Sequence, residues 1–292
     1  MKAPNFSYVR AASVAQVLEL LARNGEDVQI LAGGQSLLPA LNTRLTQPKL
    51  LIDINGLDAL KGIALRNGQV RVGALARHVE VANSPLIARH LPLIAEAMPH
   101  VGHLAVRNRG TFGGSIALAD PAAELPACAL ALDARFILAS TEGRREIAAA
   151  DFFKGSHTTA RRANELLLEA LIPVPHNSVP VFLELARRHG DFALAGLAFQ
   201  LTIADGVAGD GRLAYFASED RPRLGQAVLA AIKGQALGPA LSDAAVARLA
   251  ADLDPISNGQ GSGKLRLHWQ RVLTRRALAV ALDRASAEKR TA

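Results

Sequence analysis

The alternation of apolar and polar positions divides the chain into short elements. Ser13 precedes Val14-Ala15-Gln16-Val17-Leu18-Glu19-Leu20-Leu21, a run with helical spacing that predicts a capped helix stopped by Gly25. Val28-Gln29-Ile30-Leu31 predicts a strand, and Leu50-Leu51-Ile52-Asp53-Ile54 a second one after a helical stretch, so the chain to about Gly56 forms a small β-α-β unit. Ile63 to Arg66 and Val70 to Gly73 flank Asn67-Gly68, a hairpin signature. Helical stretches follow around Val79 to Ala82, Leu91 to Met98 and Ala122 to Leu132, with strands at Arg135 to Ser140 and Glu165 to Ile172. Pro173, Pro175 and Pro180 mark a boundary near position 176. Beyond it, strands at Val181 to Arg187 and Leu194 to Ala204 flank the turn Gly190-Asp191. A turn spanning Gly206 to Gly211 precedes a strand at Leu213 to Ala217. The remainder is helical, at Gln226 to Ile232, Asp243 to Leu253 and from Leu265 onward. The expected units are 1–56, 57–176 and 177–292.

Two stretches interrupt this pattern with paired glycines beside hydroxyl residues: Leu31-Ala32-Gly33-Gly34-Gln35-Ser36-Leu37 and Arg109-Gly110-Thr111-Phe112-Gly113-Gly114-Ser115. Without a Cβ, glycine reaches φ > 0 and lets backbone approach a ligand closely. Successive N–H groups in such a turn converge on an anion, and Ser36, Thr111 and Ser115 add hydroxyl donors. Either stretch alone also reads as an ordinary tight turn. Two together, each leading into an apolar helical segment, predict a two-sided pyrophosphate clamp and hence a dinucleotide ligand.

Other dinucleotide and phosphate motifs fail. Asn258-Gly259-Gln260-Gly261-Ser262-Gly263-Lys264-Leu265 resembles a P-loop, but Asn258 replaces its first glycine and Leu265 its magnesium-binding hydroxyl. Gly209-Asp210-Gly211 lies between predicted strands instead of opening a helix. No Gly-x-Ser-x-Gly elbow is present. One cysteine, Cys128, lies in an apolar run, so the chain carries no iron–sulfur cluster of its own. His100 and His103 lack further ligands to complete a metal site and read as surface or capping residues.

The net charge of +7 is concentrated around Lys264 to Arg276. There Leu265, Trp269, Val272, Leu273, Ala277 and Val280 recur at helical spacing, which places the arginines on an opposite, solvated face. Aromatic residues make up only 4%, which argues against a nucleic-acid stacking platform. No membrane-length apolar run or signal-peptide pattern is present, and a cytoplasmic location is expected.

Several segments, in order along the chain, carry a family resemblance. They are the two glycine stretches, Phe6-Ser7-Tyr8, Ala119-Asp120-Pro121-Ala122-Ala123-Glu124-Leu125-Pro126, Asp151-Phe152-Phe153-Lys154-Gly155, Glu165 to Pro173, and Glu184-Leu185-Ala186-Arg187-Arg188-His189-Gly190-Asp191-Phe192-Ala193. Together they resemble the FAD-binding medium subunit of the xanthine dehydrogenase and carbon monoxide dehydrogenase family of molybdenum hydroxylases. The resemblance implies an α+β fold: two FAD-binding subdomains of the vanillyl-alcohol oxidase type, then a C-terminal α+β domain, an antiparallel sheet with helices, covering the flavin. It implies non-covalent FAD held by Leu31, Ala32, Gly33, Gly34, Gln35, Ser36 and Leu37, and by Thr111, Gly113, Gly114 and Ser115. Asp120 and Glu124 would accept hydrogen bonds from the ribityl or flavin side, while Val101, Leu166, Leu167 and Phe192 would line the cofactor. Asp120 as a helix cap and Glu124 as a first-turn carboxylate are the structural alternatives.

No catalytic residue or metal ligand is assigned to this chain by the resemblance. Molybdopterin and 2Fe-2S clusters are expected on partners only, a molybdopterin large subunit and an iron–sulfur small subunit, in a dimer of heterotrimers without nucleic acid or a membrane span. A free-standing FAD-dependent oxidoreductase of the same fold is the alternative. For it, only Tyr215 and His189 offer proton-transfer groups.

The run Leu213-Ala214-Tyr215-Phe216-Ala217-Ser218 departs from the glycine-bearing family pattern. Thr158 to Asn164 is more basic than usual, a solvent-facing loop or a contact for an acidic partner.

Overall fold

The computed structural model describes the backbone of residues 2–291 and the side chains of residues 2–287. In the first sheet, Leu50–Asp53 lies between Ser7–Arg10 and Val28–Leu31, parallel to both. Ser13 caps the Val14–Asn24 helix by accepting from Gln16 N–H at 3.2 Å, and Gly25 ends it at φ 55°. Val17 and Leu21 on its inner face pack with Val28 and Ile52. The Ser7–Arg10 strand escapes the periodicity reading because it is almost wholly exposed and carries no apolar alternation.

An antiparallel sheet follows, in the order Ile63–Arg66, Gln69–Gly73, Leu166–Pro173, Arg135–Ser140, Gly143–Ala148. Asn67 and Gly68, at φ 50° and 72°, make the tight hairpin turn that their sequence predicts. The last strand, a polar edge with little apolar signal, is absent from the sequence reading. Strand alternation points Leu166 and Leu168 of the central strand toward the first sheet's core, and a bulge between Leu167 and Glu169 brings Ala170 and Ile172 onto the opposite face. Leu167 joins the core on the other side.

The Glu124–Ala131 helix is buried along its whole length, which explains why its sequence is apolar all round. Its core continues into Phe182, Ala198, Ala214 and Phe216 of a third sheet. That sheet is antiparallel: Ser178–Ala186, Ala193–Ala204, Val207–Phe216 and Arg223–Leu224.

Two sequence expectations need correction here. The turn before Val207–Phe216 is only Asp205-Gly206, at φ 53° and 77°, and Val207 to Gly211 are paired strand residues. The expected helix at Asp243 to Leu253 is two, Pro239–Ala247 and Leu249–Asp252, broken at Arg248.

The Gly263–Thr291 helix lies across this sheet, and its buried face differs from the one predicted. Leu273, Ala277, Leu278 and Ala281 are buried, but so are Arg266, Gln270 and Thr274, while Leu265 is exposed. Arg266 donates to the carbonyls of Ala217 and Leu194, and Gln270 to those of Gly196 and Phe216. These polar groups cap the free carbonyls at the sheet's end, a need that hydrophobic periodicity cannot reveal.

Candidate functional site

The first glycine turn joins the end of Val28–Leu31 to the Leu37–Asn42 helix. Gly34 sits at φ 73°, in the left-handed region, and Gln35 Nε2 donates to Gly33 O at 3.2 Å. Among the described residues, no group accepts from the N–H groups of Gly33, Gly34, Gln35 or Ser36. Gln35 and Ser36 are exposed, so four adjacent donors remain for a ligand.

The second stretch meets the first directly. A Cβ on Gly33 would lie 2.7 Å from Gly110 Cα, so only glycine lets the two loops touch. Thr111 caps the Phe112–Leu118 helix by accepting from Gly114 N–H at 3.0 Å. The N–H groups of Phe112 and Gly113 donate to Ala76 O and Ala74 O, and that of Ser115 to Thr111 O. A Cβ on Gly113 would stand 2.6 Å from Ala74 Cα. The glycine pair thus serves close packing as well as approach to a ligand. Its remaining contribution is the Ser115 hydroxyl and the O–H of buried Thr111, whose oxygen already accepts from Gly114, while backbone donation to an anion falls on the first turn.

A polar network missed by sequence reading ties the loops together. Asn55 Nδ2 donates to Ala32 O at 2.8 Å and to Asp53 Oδ1 at 2.6 Å. Its Oδ1 accepts from Arg77 at 2.5 Å, and Arg77 also donates to Arg109 O. Tyr8 OH completes the chain with a 2.6 Å bond to Asp53 Oδ2. Burial pushes the Asp53 carboxyl up, but hydrogen bonds from Tyr8 and Asn55 outweigh it and hold the pKa below the usual range. His78, also buried, bonds to Thr111 O at 2.9 Å, and burial drives its pKa down to about 4. Apart from the Asn55–Asp53 bond, which spans two positions, these residues stand 22 to 45 positions from their partners, and nothing in their local sequence marks those pairings.

One helical turn away, Leu104–Arg107 leads back to a second cluster. Arg107 braces the preceding loop by donating to the carbonyls of Pro99, Val101 and Gly102. Against that loop packs the turn carrying Phe192: a Cβ on Gly190 would lie 2.6 Å from the His103 ring. Phe192 itself is 67% exposed and Val101 is buried. Asp120 Oδ1 accepts from Ala122 N–H at 2.9 Å, closing a local turn before the Glu124–Ala131 helix; the helix's N-cap is Ala123, so Asp120 is not its cap.

Glu124 is buried at the start of that helix. Burial, with Asp120 nearby, pushes its carboxyl up to about 7. Leu166 and Leu167 face opposite sides of their strand, the former into the core under the first sheet. Tyr215 is 1% exposed and bonded to Thr274 at 2.9 Å, and so is a core residue. The basic stretch before Leu166 is folded around Glu165, which pairs with Arg145 at 2.6 Å and accepts from Arg162 N–H at 2.7 Å. A cavity of about 390 Å³ beside Lys154, Arg221 and Arg223 includes none of the expected cofactor residues.

Comparison with known proteins places this geometry. Residues 4–175 match the family described as the FAD binding domain in molybdopterin dehydrogenase, and residues 181–281 the CO dehydrogenase flavoprotein C-terminal domain. The chain belongs to the FAD-binding medium subunits of the molybdenum hydroxylases. It is 38% identical to the 6-hydroxypseudooxynicotine dehydrogenase complex subunit alpha of Paenarthrobacter nicotinovorans, over 99% of this chain and 98% of the relative.

Among solved structures, it superposes on a chain of quinoline 2-oxidoreductase from Pseudomonas putida 86 with a TM-score of 0.94, at 37% identity, covering 98% of this chain and 99% of that one. The carbon monoxide dehydrogenase of Hydrogenophaga pseudoflava, solved without the Mo-pyranopterin moiety of its cofactor, also gives 0.94, at 34% identity over 97% and 99%. As a medium subunit the chain is an oxidoreductase component with an α+β FAD-binding region and a flavoprotein C-terminal domain. No helix among the described residues is long and apolar enough to cross a membrane.

Proposed function

We propose that this medium subunit binds FAD non-covalently, with its pyrophosphate on the unpaired N–H groups of Gly33, Gly34, Gln35 and Ser36 and on the hydroxyls of Thr111 and Ser115. Those four orphan donors, fixed by the Asn55–Arg77 tie, are the observation that carries the reading. They fit the group: a diphosphate supplies several acceptors and a negative charge, and a backbone nest demands both. Leu31, Ala32, Leu37, Gly113 and Gly114 shape the floor of this end. Val101, Asp120, Glu124, Leu167 and Phe192 surround the isoalloxazine end, with Leu166 supporting the strand from its other face.

When bound, FAD accepts single electrons from an iron–sulfur donor and yields one or two to an external acceptor; the protein supplies binding, orientation and tuning. The donor is a small subunit with 2Fe-2S clusters, fed by a molybdopterin large subunit that oxidises the substrate, in a dimer of heterotrimers in the cytoplasm. Calorimetry with FAD tests this on the purified chain. One-to-one binding, weakened at least tenfold by G33A, is expected; absence of flavin binding by the wild-type chain refutes the reading. Co-purification from the host followed by molybdenum, iron and flavin analysis tests the assembly.

A further inference from the structure

The cavity of about 390 Å³ lies on the seam between the two family regions, apart from both glycine turns. Leu130, Phe153 and Lys154 line it from the FAD-binding side, and Arg221, Arg223 and Asp252 from the C-terminal side. Its volume falls in the range of small-molecule sites, about 300–1,000 Å³, and such sites favour the seams between domains.

The charged groups of this lining are not balanced. Asp252 is committed, because its two carboxylate oxygens accept from Ala227 N–H at 2.8 Å and Val228 N–H at 3.0 Å. Arg223 is committed as well: its Nε donates to Glu219 at 2.6 Å, and Asp220 lies 3.9 Å from its Nη2. Neither Glu219 nor Asp220 lines the cavity. Arg221 makes a single hydrogen bond, to the Lys154 carbonyl across the seam, and neither Arg221 nor Lys154 has a carboxylate partner among the described residues. The cavity therefore presents two uncompensated cations, one from each side of the seam. Leu130 and Phe153, both buried, add apolar surface to the same lining.

We propose that this cavity binds a small organic phosphate monoester, with its phosphate on Lys154 and Arg221 and its apolar body against Leu130 and Phe153. A phosphate monoester carries a charge of about −2 at pH 7, which matches the two unpaired cations. The planar fork of Arg221 suits two phosphate oxygens at once, and the Lys154 ammonium adds a point charge. A monocarboxylate would leave one cation unmatched. Inorganic phosphate would match both but leave the apolar lining against water. The proposal goes beyond the FAD reading and does not rest on it, since none of the residues expected to hold that cofactor lines the cavity.

Calorimetry on the full chain tests this, with phenyl phosphate as the probe. Inorganic phosphate serves as the head group alone, and benzoate as a monoanion with the same ring. One-to-one binding of phenyl phosphate is expected, with the other two at least tenfold weaker. K154M and R221M should each weaken phenyl phosphate at least tenfold, while saturation with FAD leaves its affinity within about twofold. No binding of phenyl phosphate by the wild-type chain, wild-type affinity in K154M or R221M, displacement by FAD, or equally tight binding of inorganic phosphate or benzoate overturns the proposal. Lys154 is exposed, so K154M keeps the test available should R221M loosen the seam.

Discussion

Each glycine in the first turn has its own physical task. Gly34 is needed for its φ of 73°, whereas Gly33 is needed because the second loop's backbone fills the place of a Cβ. In G33A the loops must separate, and the four donors lose their fixed geometry. Arg77→Met keeps most of the side-chain volume but leaves Arg109 O and Asn55 Oδ1 without their donor. It is expected to weaken FAD binding about tenfold by calorimetry with a change in melting temperature of only a few degrees, because an exposed tie contributes about 1 kcal/mol to stability. A loss of folding in R77M would instead make the tie structural. The glycines were legible from sequence because they are contiguous and chemically distinctive. Asn55 and Arg77 were not, since a polar residue's partner many positions away leaves no local trace.

At the scale of elements, pattern reading works where apolar residues meet the core on one face or on all, as in the buried Glu124–Ala131 helix and Ala193–Ala204 strand, and fails where an element is polar and exposed. The Val14–Asn24 helix and the Asn67-Gly68 hairpin follow their signals closely. The exposed Ser7–Arg10 strand and the polar Gly143–Ala148 edge give almost no signal. The C-terminal helix shows a subtler failure: apolar spacing suggests one seam, yet the packed face includes Arg266 and Gln270, because sheet-end carbonyls need donors, and Thr274, which meets the buried Tyr215 hydroxyl. Arg266→Leu replaces a buried cation with an apolar side chain but strands the Ala217 and Leu194 carbonyls. Each stranded acceptor costs about 1–3 kcal/mol, more than the relief of burying the charge, so urea denaturation should show a loss of about 2–4 kcal/mol. A neutral or stabilising result would mean that those carbonyls find other donors.

Across the whole molecule, the buried helix Glu124–Ala131 joins the N-terminal FAD-binding region to the third sheet, and its first residue faces the same cluster as Glu184 on that sheet. Two carboxyls from separate parts of the fold thus share one low-dielectric space, each raising the cost of ionising the other. Sequence reading marked Glu124 through its motif, but gave Glu184 no role, because their proximity exists only once the sheet closes over the helix. The folded chain holds protons on Glu124 up to about 7 and on Glu184 up to about 8, whereas ordinary carboxyls release theirs near 4.5. Between pH 4.5 and 8 the native state therefore binds more protons than the unfolded state, and this pair's contribution to stability falls as pH rises, levelling off above about 8. Gln at position 184 cannot ionise, so E184Q should flatten that slope and exceed the wild type in stability at pH 8.5 by about 1–3 kcal/mol, since each unit of pKa displacement is worth about 1.4 kcal/mol and relaxation absorbs part of it. At pH 5, where Glu184 is protonated in the fold, the two proteins should be within about 1 kcal/mol of each other, the scale of a near-isosteric exchange. Denaturation of the flavin-free chain in urea at both pH values measures this, and parallel pH profiles for the two proteins would show that Glu184 ionises normally in the fold.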